Sequence, residues 1–213
     1  MITDLAPDRQ LAVRYAPEGV RASFATLLAL DARLAGIVRA TREPMVGQMR
    51  LTWWHDALTR LDTTDAPAEP LLQALQRDVV GQGVEGAALA TLVDGWDVLL
   101  DPLDAEIVAQ HGERRGARLF ALAGRWMPGE PALLAEAGRG WALADLAAHV
   151  SQSEIAAVAR EQARGAFADA FARRWPASSR PLGALALLQH GVTDAAAPWR
   201  SFARLTRFRL TGR

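Results

Sequence analysis

Cysteine is absent from the 213 residues, which removes disulfides, thiolate metal sites and thiol nucleophiles together. Lysine is absent too: all 24 basic residues are arginine. Schiff-base chemistry and a phosphate-binding P-loop lysine are therefore excluded. No run approaches the ~18 consecutive apolar residues that span a bilayer. The opening MITDLAPDRQ carries an early acid and no apolar core, unlike a signal peptide. Excess charge of one sign is also lacking, since 24 acids balance the arginines. A neutral chain without a basic block is a poor nucleic-acid binder. These absences predict a cytoplasmic protein with no nucleic-acid partner and no transmembrane segment, for which peripheral contact with an inner membrane stays open.

What is present is alanine, and with it a helical period. Half of the chain is apolar, enough for a buried core, and β-branched alternation is almost missing, so the period to follow is 3.6. Prolines precede several helical patterns, as first-turn prolines do. The pattern predicts helices over about 17–40, 44–61, 70–80, 85–100, 103–125, 132–149, 153–175, 181–190 and 197–210, with LDTTDAPAEP as a loop. No linker divides them, so a single all-α domain over residues 1–213 is expected, packed as a bundle.

Several polar residues fall on faces that the period assigns to the interior. On the first long helix Phe24, Leu28 and their apolar neighbours form one stripe, with Asp31 at its centre. A buried carboxylate needs a partner: either an arginine of a neighbouring helix, with Arg50 the first choice, or a polar pocket that it lines. The next helix is apolar on nearly every face, which predicts burial. Asp56 then points inward beside Met45 and Met49, and Trp53 packs in the core or lines a lipid pocket. Asp94, Asp97 and Asp101 share a helix face that suits either solvent or a divalent cation with a diphosphate. Arg114, Arg118 and Arg125 form a face suited to solvent or to an anion. Asp145 and His149 are i, i+4 neighbours that can bond each other or share a ligand, on the helix that carries Trp141. G-x-S-x-G, H-E-x-x-H and a strand-linked G-x-G-x-x-G are all absent.

The stretch EPMVGQMRLTWWHDAL, with Glu43, Pro44, Arg50, Leu51, Trp53, Trp54, Asp56, Ala57 and Leu58, resembles the squalene/phytoene synthase family. The branch it is most similar to is a short bacterial one, akin to a mitochondrial complex I assembly factor. SFATLLALDARLAGIV resembles the family's first core helix, LVDGWDVLL its central helix and HGERRGARLFALAG a later one, while GRGWALADLAAH is similar to the second motif region. The resemblance implies an isoprenoid-synthase-like helical bundle. It also implies two acidic motifs that hold Mg²⁺ and prenyl diphosphates in catalytic members. Laid on this chain, the first motif falls on Ala35, Gly36 and Arg39, and the second leaves Asp145 and His149, with Ser153 one turn on. The family's Gly-Arg-x-Tyr-Leu-Pro stretch has no counterpart.

Three functions are therefore in competition. A catalytically degenerate member would need no cofactor and would bind a prenyl or lipid-like ligand, or a protein partner in a membrane complex. Its pocket would be lined by Phe24, Leu28, Met45, Met49, Trp53 and Trp141, with Arg50, Arg114 and Arg118 for a diphosphate. An active prenyltransferase would instead use Mg²⁺ with relocated acids: Asp31, Asp56, Asp94, Asp97 and Asp145, with His149. A purely structural helical protein would have no pocket. No metal site is expected at Ala35, Gly36 and Arg39, because a hard cation wants carboxylate oxygens and a fixed guanidinium repels it. Calorimetric titration with Mg²⁺ checks this: no saturable heat is expected, and tight binding lost in Asp31→Asn would overturn it.

Overall fold

The computed structural model describes residues 5–192 and 198–213, and every regular element among them is helical. The chain folds as two compact units that meet at Pro102, Met1–Pro102 and Leu103–Arg213. The first holds α1 (Pro7–Tyr15), α2 (Arg21–Ala40), α3 (Pro44–Arg60), α4 (Pro70–Asp78) and α5 (Gly86–Asp97). The second holds α6 (Ala105–His111), a π-helical turn (Gly112–Ala117), α7 (Arg118–Ala123), α8 (Pro131–His149), α9 (Ser153–Phe171), α10 (Arg180–Val192) and α11 (Pro198–Thr211).

The helix starts follow local chemistry. Pro7, Pro44, Pro70 and Pro131 sit in first turns, where the missing amide costs nothing and the fixed φ helps. The Glu69 carboxylate accepts from the Leu72 amide at 2.9 Å, and Asp104 accepts from Ile107 at 2.8 Å, each satisfying an orphan donor. Most boundaries fall within a few residues of those read from the period.

Two expectations fail. Helix α1 lies outside the predicted helices, because its short sequence PDRQLAVRY carries no apolar stripe and buries Arg9 beside Ala12 and Val13. Helix α3 is not buried all round. Leu51, Trp54 and Leu58 face the core, while Met45, Met49 and Trp53 are 74 %, 69 % and 49 % exposed, and Asp56 stands on the outer side with them. Residues apolar on every face leave no period to say which side turns inward.

In the first unit α2 supplies the centre, with Phe24, Leu27, Leu28, Leu30 and Leu34 fully buried. In the second, α8 packs against α9 and against the π turn. Trp141 of α8 lies 5.9 Å from the Phe120 ring, and Phe171, Trp175 and Phe208 form a second aromatic cluster.

The π turn touches α8 backbone to backbone. A Cβ on Gly116 would stand 2.0 Å from the Gly138 carbonyl oxygen, and one on Gly138 would stand 2.2 Å from that of Gly116. Gly36 on α2 has open space where a Cβ would go. Gly138→Ala is therefore expected to cost roughly 1–3 kcal/mol or more through forced backbone separation. In this size class that lowers Tm by about 2–4 °C per kcal/mol. Gly36→Ala should leave Tm unchanged or raise it, since alanine is the better helix former by roughly 1 kcal/mol. Thermal unfolding of the two variants checks the contrast.

Candidate functional site

Asp31 is 2 % exposed and lies among Leu27, Leu28, Leu30 and Leu34 of the same helix. Its carboxylate meets the Arg9 guanidinium at 2.9 Å and accepts a hydrogen bond from the Trp96 indole at 3.1 Å. Arg9 also donates to the Leu28 carbonyl at 3.2 Å. The buried anion thus has an arginine partner, as its burial demanded, but the arginine is Arg9 of α1 and not Arg50, which is exposed on α3. Arg33, exposed on α2, pairs instead with Glu69 at 3.2 Å.

The second unit repeats the device. Arg115 of the π turn is 1 % exposed and pairs with Asp145 of α8 at 2.7 Å. Its guanidinium carbon lies 4.5 Å from the Trp141 ring centre, and its Nη1 lies 3.4 Å from the Nε2 of buried His111. His149 closes its helix with Nδ1 at 2.8 Å from the Asp145 carbonyl and 3.5 Å from its carboxylate. This is the i, i+4 pair read from the sequence.

The other acids are scattered. Helix α5 ends at Asp97 and passes into a 3₁₀ turn, so Asp101 leaves the face that a continuous helix would give it beside Asp94 and Asp97. Asp94 and Asp97 are half-buried, and Asp101 and Asp56 are exposed. Of the second unit's anion candidates, Arg114 and Arg118 are half-buried and Arg125 is exposed. The period-based reading missed Arg115, because a π turn adds a residue and rotates the face that a straight helix would present.

An open groove of about 790 Å³ lies along the outer side of α2 in the first unit. Its floor is Ala29, Ala32, Gly36, Ile37 and Ala40, its walls include Leu5, Pro70 and Leu71, and Arg33 and Arg50 bring two guanidiniums to it. Arg33 is held in place by Glu69 and by the Trp54 ring, 5.9 Å away. Of the residues expected to line a pocket, Phe24, Leu28 and Trp141 are packed in cores, and Met45, Met49 and Trp53 are outside the groove. Only Arg50 among the named candidates reaches it.

The three positions where the family's first acidic motif would fall give Mg²⁺ no carboxylate. Ala35 is buried, Gly36 floors the groove and Arg39 is exposed. No group of three or more His, Asp or Glu side chains able to hold a metal ion occurs among the described residues. Those present do not fit a Mg²⁺–diphosphate clamp, which needs several convergent oxygens.

The helices described above make an all-α fold. The model of the family described as squalene/phytoene synthase matches residues 4–101, just under half of the chain and nearly the whole of the first unit. No curated protein and no solved structure matches the chain.

Removing one partner of a buried ion pair strands the other charge, at a cost of roughly 3–5 kcal/mol. Arg9→Met is expected to destabilise by about that much. Arg9→Met combined with Asp31→Leu should recover part of it, because the stranded charge is gone. Denaturant unfolding of the single and double variants measures the coupling; equal losses in both would show that the pair contributes nothing specific.

Proposed function

We propose that this protein binds an elongated apolar ligand with an anionic head in the groove over α2, without Mg²⁺ and without prenyl transfer. The observation that carries the reading is the groove itself, an apolar lining that also holds Arg33 and Arg50. A guanidinium can take an anion directly by paired hydrogen bonds, so no metal need bridge the ligand to acids. The lost acids support the same reading. Diphosphate ionisation depends on cations that neutralise the leaving group. Ala35, Gly36 and Arg39 supply no ligand for them, and Asp31 and Asp145 are already engaged by Arg9 and Arg115. Fold likeness alone does not carry activity.

The roles are then separate. Ala29, Ala32, Gly36 and Ile37 give the chain of the ligand its contact surface, and removal of that surface from water drives binding. Arg33 is fixed by Glu69 and Trp54 and acts as a positioned cation. Arg50 makes no ion pair among the described residues and is available to the head group.

Farnesyl diphosphate serves as the probe. Ligand at about 100 times Kd stabilises by roughly 2.7 kcal/mol, equivalent to about 5–10 °C in Tm for a chain of this size. The shift is expected with EDTA as well as with Mg²⁺. It should disappear in Gly36→Leu, which fills the groove from a position with open space, and fall in Arg50→Gln. Farnesol should give a smaller shift. Pyrophosphate release that depends on Mg²⁺ and is lost in Asp145→Asn or Asp94→Asn would overturn the reading in favour of a working prenyltransferase.

A further inference from the structure

Five large apolar side chains are prominently exposed among the described residues, and four of them stand on α3: Met45, Val46, Met49 and Trp53. Their spacing of i, i+1, i+4 and i+8 gathers them into one stripe along the helix. The opposite side of the same helix packs into the core through Leu51, Trp54 and Leu58. The stripe is therefore held rigidly outward by a buried counterface. Trp53 meets Trp54 edge to face at 5.5 Å, which fixes its ring at the surface.

The charges around this stripe differ from those of the rest of its unit. Residues 1–102 carry nine arginines and fourteen acids, a net deficit of positive charge. Within residues 32–56 the balance reverses, with Arg33, Arg39, Arg42 and Arg50 against Glu43 and Asp56. All four of these arginines are exposed. Arg33 is paired with Glu69, whereas Arg39, Arg42 and Arg50 make no ion pair among the described residues. Half of the first unit's six arginines without an ion pair among the described residues thus lie in the stretch that carries its exposed apolar stripe.

We propose that this face of α3 docks on an anionic lipid surface. The helix lies in the plane of the interface, with Met45, Val46, Met49 and Trp53 in the headgroup–acyl boundary and Arg39, Arg42 and Arg50 on lipid phosphates. Apolar residues backed by arginine are what an interfacial helix needs, and an indole ring suits the boundary because one edge is apolar and the other is wet. Each juxtamembrane arginine adds about 1 kcal/mol of attraction to an anionic leaflet. A water-soluble protein partner would not require that excess of unpaired positive charge. No helix among the described residues is long and apolar enough to cross a membrane, so the contact is one of lying on the surface. The inference shares Arg50 with the ligand reading, but its apolar stripe lies outside the groove. Loss of flotation in a serine variant of the stripe, with the farnesyl diphosphate shift intact, separates the two.

Flotation with vesicles of phosphatidylcholine and phosphatidylglycerol at three to one tests it, with pure phosphatidylcholine as the control. Wild-type protein is expected to float with the anionic vesicles and to lose most binding in high salt. Met45→Ser/Met49→Ser/Trp53→Ser changes exposed positions, so circular dichroism should show an unchanged fold. Its partition coefficient should fall tenfold or more. Arg39→Gln/Arg42→Gln/Arg50→Gln should abolish the preference for anionic vesicles. Absence of flotation at low salt, or full binding by the serine variant, would overturn the proposal. A dimer in solution that the serine variant dissolves would also overturn it, by assigning the face to a second copy.

Discussion

The first unit depends on one charge that is placed where charge is most costly. Asp31 sits mid-way along α2 among leucines, and a carboxylate there is tolerable only if opposite charge and hydrogen bonds replace its water. Arg9 comes from α1 and Trp96 from α5, so meeting the needs of one side chain fixes three helices against one another. The contact demands a particular rotation and height of each helix, which apolar packing alone leaves loose. Arg9 also ties to the Leu28 carbonyl on α2. The N-terminal helix is thereby seated by polar geometry, although its own sequence is too short and too polar to hold a helix by itself.

Arg115 and Asp145 solve the same problem in the second unit, with the arginine stacked near Trp141. The π turn makes this contact, since it turns Arg115 inward and lets Gly116 approach Gly138. In both units a carboxylate that could have been offered to a cation is neutralised by an internal guanidinium. Arg9 and Arg115 are buried, so neither guanidinium is open to a substrate phosphate. A carboxylate closed in this way positions helices, and the electrostatic clamp that prenyl transfer needs is not available from it.

The architecture was largely legible before the structure. Proline placement and the 3.6 period located helices from α2 to α11 to within a few residues, because those signals act locally along the chain. The family pattern, carried by Glu43, Pro44 and the Trp53–Trp54 pair, pointed to the family whose model matches residues 4–101. What escaped reading was non-local. Arg9 could not be matched to Asp31, because its helix has no apolar period and the pairing spans 22 positions. The side of α3 that faces out was invisible because both sides are apolar. The rotation caused by the π turn displaced attention from Arg115 to its neighbours. The groove itself was missed, since its floor consists of alanines and a glycine that carry no chemical label.

That floor and the carboxylate-free positions Ala35, Gly36 and Arg39 all belong to α2. The helix presents bulk to the core through Phe24, Leu27, Leu28 and Leu34, and presents small residues on its outer side. Carboxylates at the positions of Gly36 and Arg39 would bring charge to the rim and project into the space now open above Gly36. Anionic heads would then be repelled unless cations intervened. With glycine and alanine there, the surface is smooth and apolar, and the remaining charges of the groove are Arg33 and Arg50. On the proposed reading, Ala35, Gly36 and Arg39 offer a metal no carboxylate, and Arg33 and Arg50 are the groove's guanidiniums for an anion.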